Sequence, residues 1–407
     1  REPEALVIDE QLLPIFAKRY GVDSEAYALL LQGLSSSLAG VGRMQEAKDR
    51  LIQGGAIMAK LFPKDLAKRV DVVNDAAVLL TQQALWREAA DTLTTIEPEL
   101  PALARMGGQH VRDALIMRGN LEAIRLRLGQ FNGTQARLEQ IVTELDALLG
   151  KGSPLAISAM DRLQSLANET GRFTDAQAIN QSLLVLQKTM PGAAERLADT
   201  ELNLLGIEIR RGLVPKDKVK AQLERMLAAA PVNLPGGGAE RAEFYRRLSD
   251  AAAGSDLLDL ADTAQKLARA DLAQISNSNP ERAAQVNRSA ALTAYMRGQP
   301  QRAVELLRDR FALYEKSLEG DSPRRATLWL QRALYEAEYD AVAAASSVAQ
   351  CRAMFERMGG PQPHWRAVLN YLDVRLDASN ASEAAVRAAQ DAVDLAFLRQ
   401  RHAVWRI

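Results

Sequence analysis

The sequence predicts an all-α protein, and three observations lead to this fold class. Good helix formers, above all Ala, Leu, Arg, Glu and Gln, are frequent along the 407 residues, whereas runs of β-branched residues are rare. No stretch alternates apolar and polar residues for long enough to indicate a strand. Short breaks that contain a small residue recur at a regular spacing between amphipathic helical patterns. We therefore expect helical hairpins and no sheet.

The breaks reveal an internal repeat. Successive breaks lie 40–45 residues apart, and most of them carry Ala five positions after the break. A small residue permits a tight turn, and an Ala beyond it lets two helix backbones approach closely. The clearest breaks begin at Gly42, Ala84, Gly129, Gly171 and Gly298, and the weaker ones at Gly212, Gly254, Glu338 and Ser379.

Each break lies between two predicted helices that carry an apolar stripe. Around Gly171, for example, Leu163 and Leu166 precede the break, and Ile179 and Leu183 follow it at helical spacing. One hairpin cannot bury such stripes alone, but stacking on its neighbours does so. The sequence therefore predicts an α-solenoid of about eight or nine antiparallel helical hairpins.

These turns, written GRMQEAKDRL, GRFTDAQAIN and GQPQRAVELL, resemble tetratricopeptide repeats of the roughly 42-residue variety seen in kinesin light chain. The resemblance covers about residues 22–400 and implies a right-handed superhelix. HEAT and armadillo repeats have a similar period but lack a recurrent turn of this kind, and they remain an alternative. At Gly212 and Gly254 the plus-five residue is Asp217 or Asp259, so we expect distorted hairpins there.

The repeat divides the chain into four parts. Residues 1–21 are expected to form an N-terminal capping helix, residues 22–234 and 235–400 the two halves of the hairpin array, and residues 401–407 a C-terminal tail. The glycine run at 236–238 lacks the Lys-Ser/Thr of a phosphate-binding loop. We interpret it as a linker between the halves.

The resemblance also implies where a partner binds. In tetratricopeptide proteins the first helix of each hairpin faces a groove, and a recurrent Asn nine residues before the break holds the partner's backbone. That position carries Asn120, Asn203 and Asn370 here, and Asn74 lies one residue from it. An amide can both donate to and accept from an extended peptide. Charged candidates on or beside the same helix faces are Asp161, Arg162, Arg127, Arg210 and Arg288. The alternatives are solvated amides and ordinary surface ion pairs.

Composition excludes several classes of function. Equal numbers of basic and acidic residues, 51 each, argue against direct nucleic-acid binding, and no apolar run is long enough for a membrane span. The single cysteine, Cys351, precludes a thiolate-rich metal site and is expected in the core. His110 and His364 lie in or beside glycine-rich linkers, where we expect surface positions. No catalytic motif is present, so we expect no enzyme activity, no cofactor and no metal.

These observations predict a cytoplasmic, non-catalytic protein- or peptide-binding scaffold. By analogy with bacterial serine/threonine kinases and winged-helix regulators, it would be the regulatory or partner-recruiting part of a larger bacterial signalling or transcription-regulating protein. Two alternatives remain. The chain could be a sensor in which a small molecule or signalling peptide binds between hairpins. It could also be a self-association module that forms a homodimer through its C-terminal helix, Ala384–Leu398.

Overall fold

A computed structural model describes residues 2–40, 43–82, 85–190, 194–234, 238–274, 280–317, 321–377 and 382–397. All regular elements within these ranges are helices, and none is a strand. The all-α prediction is therefore confirmed. None of the helices in these ranges is both long and apolar enough to cross a membrane.

The helices follow one another with short connections. Their bounds are α1 Glu2–Tyr20, α2 Glu25–Gly40, α3 Met44–Leu61, α4 Leu66–Gln82, α5 Trp86–Thr94, α6 Leu100–Arg105, α7 Gln109–Leu128, α8 Thr134–Leu149, α9 Pro154–Glu169, α10 Phe173–Lys188 and α11 Ala194–Arg210. They continue with α12 Lys216–Asn233, α13 Gly238–Gly254, α14 Leu258–Ala273, α15 Pro280–Met296, α16 Pro300–Leu306, α17 Arg308–Ser317, α18 Pro323–Glu336, α19 Ala341–Arg357, α20 Pro363–Leu376 and α21 Glu383–Ala396.

Neighbouring helices pack in pairs. The closest pairs include α2 with α3, α13 with α14 and α18 with α19. In the hairpin that begins with α4, the second helix is interrupted, because a 3-10 turn at Glu97–Glu99 separates α5 from α6. Pro98 and Pro101 lie at this interruption, and a proline has no N–H for a continuous helix ladder.

The alanines of the repeat lie where two helices meet. Ala47, Ala89, Ala176 and Ala303 are all fully buried, as close packing of helix backbones requires. At Gly212 and Gly254, which lack this Ala, the buried position comes two residues later, at Val219 and Ala261. Continuous helices flank both breaks; the connection at Gly212 is two residues longer than the one at Gly171, whereas the connection at Gly254 has the same length but lies two residues later.

The turn at Gly254 shows how the repeat shifts its register. Gly129, Gly171 and Gly298 adopt left-handed backbone conformations with φ of 74°, 76° and 74°. Gly254 instead ends α13, and the left-handed residue of this turn is Asp256, with φ of 56°. Asp tolerates this conformation better than most residues because its short side chain bonds locally. The turn is therefore centred two residues later than the sequence pattern indicates.

The last helices pack against helices from the middle of the chain. Pro323 at the start of α18 lies directly against Gly129 after α7, where an added Cβ would be 2.1 Å from the proline Cδ. Phe397, after α21, stacks on Phe173 of α10 with ring centroids 5.5 Å apart. His364 of α20 lies against Gly171. We call this contact region the seam, defined by Gly129, Gly171, Phe173, Pro323, His364 and Phe397.

Several predicted features lie outside the described residues. These are most of the glycine run, the tail at 401–407 and the breaks at Gly42, Ala84 and Ser379. Helix α1 occupies the predicted cap at 1–21. The division into two halves stays a prediction.

Candidate functional site

The predicted site residues lie on the first helices of successive hairpins. Of these helices, α4 contacts α7, α7 contacts α9, α11 contacts α13, and α13 contacts α15. Asn74, Asn120, Arg162, Asn203 and Arg288 are half-buried on them. We use the name row-one face for the surface that carries Asn74, Asn120, Asp161, Arg162, Asp199, Asn203, Arg210, Arg247, Asp250 and Arg288.

Two of the predicted amides meet directly. The Asn120 side chain donates from Nδ2 to Oδ1 of Asn74 at 3.1 Å, which links α7 to α4. At the residue before Asn120, Nη1 of Arg162 lies 2.6 Å from the place where a Cβ on Gly119 would stand. The absence of a side chain at Gly119 therefore lets the Arg162 guanidinium rest against α7.

The third amide pairs with a residue that the sequence pattern did not identify. Arg247 donates from Nη1 to Oδ1 of Asn203 at 2.9 Å and also bonds Asp199. The residue nine positions before the predicted break at Gly254 is Tyr245, but Tyr245 is buried in the core. Arg247 lies nine residues before Asp256, the actual left-handed residue of the turn. Because the turn is shifted by two residues, counting back from Gly254 leads to Tyr245 instead of Arg247.

The face continues as a network of ion pairs on α13 and α15. Arg246 donates to Glu243 at 2.8 Å and to Asp250 at 2.7 Å, and Arg288 bonds the same Asp250. Burial opposes ionisation of Glu243, but Arg246, Arg247 and Arg127 lower its pKa to about 2. Glu243 is therefore an anion at neutral pH.

Arg127 extends this network towards the seam. Its Nη1 donates to Oε1 of Glu281 at 2.9 Å, and Glu281 belongs to α15 although 154 positions separate the two residues. A second ion pair joins α18 to the end of α9, where Arg324 lies 3.8 Å from Glu169. Arg127 and Arg288 thus take part in ion pairs, which was one alternative for the charged candidates.

Three predicted charged residues differ from these paired ones. Asp161, Arg162 and Arg210 form no side-chain hydrogen bond or ion pair within the described ranges. Burial, aided by Asp199, raises the pKa of Asp161 to about 6. Burial also lowers the pKa of Arg162, which is half-buried, whereas Arg210 is exposed at the end of α11. Charges that are partly removed from water without a partner can gain free energy when a ligand supplies one.

Asn370 lies apart from the other amides. It is exposed on α20 and forms no hydrogen bond with another predicted site residue in the described part of the chain. The structure therefore brings together Asn74 with Asn120, and Asn203 with Arg247, but it does not add Asn370 to either pair.

A cleft of about 660 Å³ lies beside the seam. The ends of α7 and α9 and the start of α8 form one side, and the start of α18, the end of α19 and the start of α20 form the other. Arginines Arg87, Arg125 and Arg137 line it together with the apolar side chains Phe355, Met358 and Trp365. Nothing in the sequence pattern indicated this cleft, because its two sides are far apart in the chain.

Cys351 and His364 are both buried. Cys351 is fully buried, as predicted, and burial raises its pKa to about 12. His364 was expected at the surface, but it is only 2% exposed and contacts Phe173, Trp365 and Phe397. That expectation was wrong, because the seam covers the start of α20. Burial, with a contribution from Arg210, lowers the pKa of His364 to about 4.

No protein-family model and no curated protein matches this chain. In the ranges that the structure describes, there is also no group of three or more metal-binding side chains.

Proposed function

We propose that this chain is a non-catalytic protein- or peptide-binding region, built as a right-handed solenoid of tetratricopeptide-like hairpins. The pairing of neighbouring helices and the recurrent buried alanines support this arrangement. The row-one face is the docking surface for an extended segment of a protein partner. The observation that carries the proposal is that Asp161, Arg162 and Arg210 form no side-chain hydrogen bond or ion pair with the described residues, on a face whose other polar side chains are bonded.

The amides and charges have separate roles in this proposal. Asn120 and Asn203 exchange their present side-chain partners for the backbone N–H and C=O groups of the segment. Arg162 and Arg210 bind carboxylates of the partner, and Asp161 accepts from a donor. Guanidinium–carboxylate bonds are charge-assisted, so they account for more affinity than the amide contacts.

The resemblance adds a cellular setting to the proposal. The chain would act as the regulatory or partner-recruiting part of a larger bacterial signalling or transcription-regulating protein. Homodimer formation through α21 and cytoplasmic location stay predictions from the sequence.

A quantitative pull-down from bacterial lysate tests the docking surface. The bait is the intact chain, an Arg162→Gln/Arg210→Gln double variant, or the control Arg302→Gln, which removes an exposed charge from α16. We expect a protein that the intact chain and the control retain equally and the double variant loses, with direct binding then measured by calorimetry on the purified partner. Equal retention by all three baits, with circular dichroism showing intact helices, would contradict a role of the row-one face.

A further inference from the structure

We propose that the cleft beside the seam binds a small organic anion that carries a planar apolar group. The volume of about 660 Å³ is within the range of ligand sites in proteins. This inference is independent of the row-one face, because none of the residues that define that face lines the cleft.

Two arginines of the cleft, Arg125 and Arg137, are held in place by the buried carboxylate of Glu122. Glu122 is 2% exposed, and its carboxylate accepts from Arg125 at 2.6 Å and from Arg137 at 2.6 Å and 3.0 Å. Arg125 also bonds Glu97 through two nitrogens. Both guanidiniums are therefore fixed before any ligand arrives, which reduces the entropy cost of binding.

Arg137 has one guanidinium nitrogen, Nη1, that lies beside Gly133. Its Nε and Nη2 bond Glu122, the Asn132 carbonyl and the Thr134 hydroxyl. Its Nη1 forms no hydrogen bond in the described part of the chain, and the side chain is 38% exposed. An anionic oxygen is the partner that a guanidinium nitrogen binds most strongly.

The acidic side chains of the cleft are already neutralised. Asp321 accepts two hydrogen bonds from Arg357, at 2.5 Å and 2.8 Å. Glu169 lies 3.8 Å from Arg324. Their repulsion of an incoming anion is therefore reduced.

The other wall suits a planar apolar group. Phe355 lies in the last turn of α19, Met358 directly follows this helix, and Trp365 belongs to the first turn of α20. Trp365 is itself held by ring contacts with His364 and Phe397, with centroids 4.6 Å and 5.9 Å apart. A ring whose position is fixed offers a stacking surface at little entropy cost. A ligand that touches both walls also joins α8 to α20, so it stabilises the seam.

The fluorescent dye 8-anilinonaphthalene-1-sulfonate, an aromatic anion, serves as the probe, and isothermal titration calorimetry measures its binding. We expect one saturable site in the intact protein. Gln130 is an exposed residue of the cleft wall, so Gln130→Trp fills the cleft and should weaken binding at least about tenfold. The control Gln135→Trp adds the same ring on exposed α8 surface outside the cleft and should leave the affinity within about twofold.

Recognition of the anionic group needs its own comparison. Arg137→Gln should weaken binding of the sulfonate dye but leave the affinity for the neutral dye N-phenyl-1-naphthylamine unchanged. The proposal is overturned if the intact protein shows no saturable site, or if Gln130→Trp binds the dye as the intact protein does. An equal loss for both dyes in Arg137→Gln would overturn the role of the anion. Thermal unfolding of each variant shows whether the fold is retained.

Discussion

Replacing Gly129 by Ala tests whether the seam contributes to the stability of the fold. Gly129 has φ of 74°, and an added Cβ would lie 2.1 Å and 2.3 Å from the Cδ and Cγ atoms of Pro323. Gly298 provides a matched control, since its φ is also 74° but an added Cβ has no neighbour within 4 Å among the described residues. Both variants place Ala in the same left-handed conformation, and only one of them meets the seam.

The two variants should therefore differ by the cost of the collision. Left-handed strain in a residue with a Cβ costs about 1–2 kcal/mol, and this is the whole effect that we expect for Gly298→Ala. Ordinary carbon contacts lie at about 3.5–4 Å, so the ring of Pro323 must retreat by more than about 1 Å. Forcing atoms into a packed region costs about 1–3 kcal/mol in addition. We expect a total loss of about 2–5 kcal/mol for Gly129→Ala.

Urea unfolding followed by circular dichroism at 222 nm measures both losses in the free energy of unfolding. Small-angle X-ray scattering of the folded variants adds the radius of gyration, which should grow only in Gly129→Ala. Equal losses for the two variants, with unchanged dimensions, would show that the seam does not form in solution.

Three further predictions concern buried titratable groups. Burial raises the pKa of Asp161 from 3.8 to about 6, so this residue destabilises the folded state at every pH at which Asp161 is ionised in the unfolded chain. Asp161→Asn should therefore stabilise the protein by up to about 3 kcal/mol at pH 7.5 and by about 1 kcal/mol less at pH 5. Urea unfolding at the two pH values measures this difference. A variant that is no more stable than the parent at pH 7.5 would contradict the burial of this charge. Burial lowers the pKa of His364 from 6.5 to about 4, so the folded state loses stability as the pH falls below 6.5. The free energy of unfolding should fall by about 2 kcal/mol between pH 7 and pH 5, and this fall should be absent from His364→Gln. The same pH dependence in parent and variant would be evidence against this environment. Cys351 should not react with 5,5′-dithiobis-(2-nitrobenzoic acid) until the protein unfolds, because its thiol is fully buried and its pKa is about 12; rapid reaction of the folded protein would refute this.

Local sequence was sufficient to predict the helices and their turns. The small residue and the Ala five positions later mark where two helices cross, and Ala47, Ala89, Ala176 and Ala303 are fully buried at such crossings. The pattern is less reliable where the first helix of a hairpin runs further than the repeat indicates. Gly254 looked like the turn residue, but Asp256 adopts the left-handed conformation, so Tyr245 lies in the core and Arg247 takes the predicted place beside Asn203.

The pairing of amides was only partly accessible from sequence. Asn74 and Asn120 occupy nearly equivalent places in consecutive hairpins, so the repeat predicts that they lie near each other, and they do. Asn370 has the same repeat position but stays exposed and apart. Equivalence in a repeat specifies the face of a helix, whereas contact also requires a neighbour with a complementary side chain.

The sequence by itself determined the helical class, the positions of most turns and the burial of Cys351, because these depend on residues within one or two helical turns of each other. Only the tertiary structure decided the seam, the cleft beside it and the burial of His364. Pro323 meets Gly129, and Phe397 meets Phe173, across nearly two hundred residues or more. Small errors in each turn accumulate over the intervening hairpins, so no local pattern can specify which distant helices come into contact.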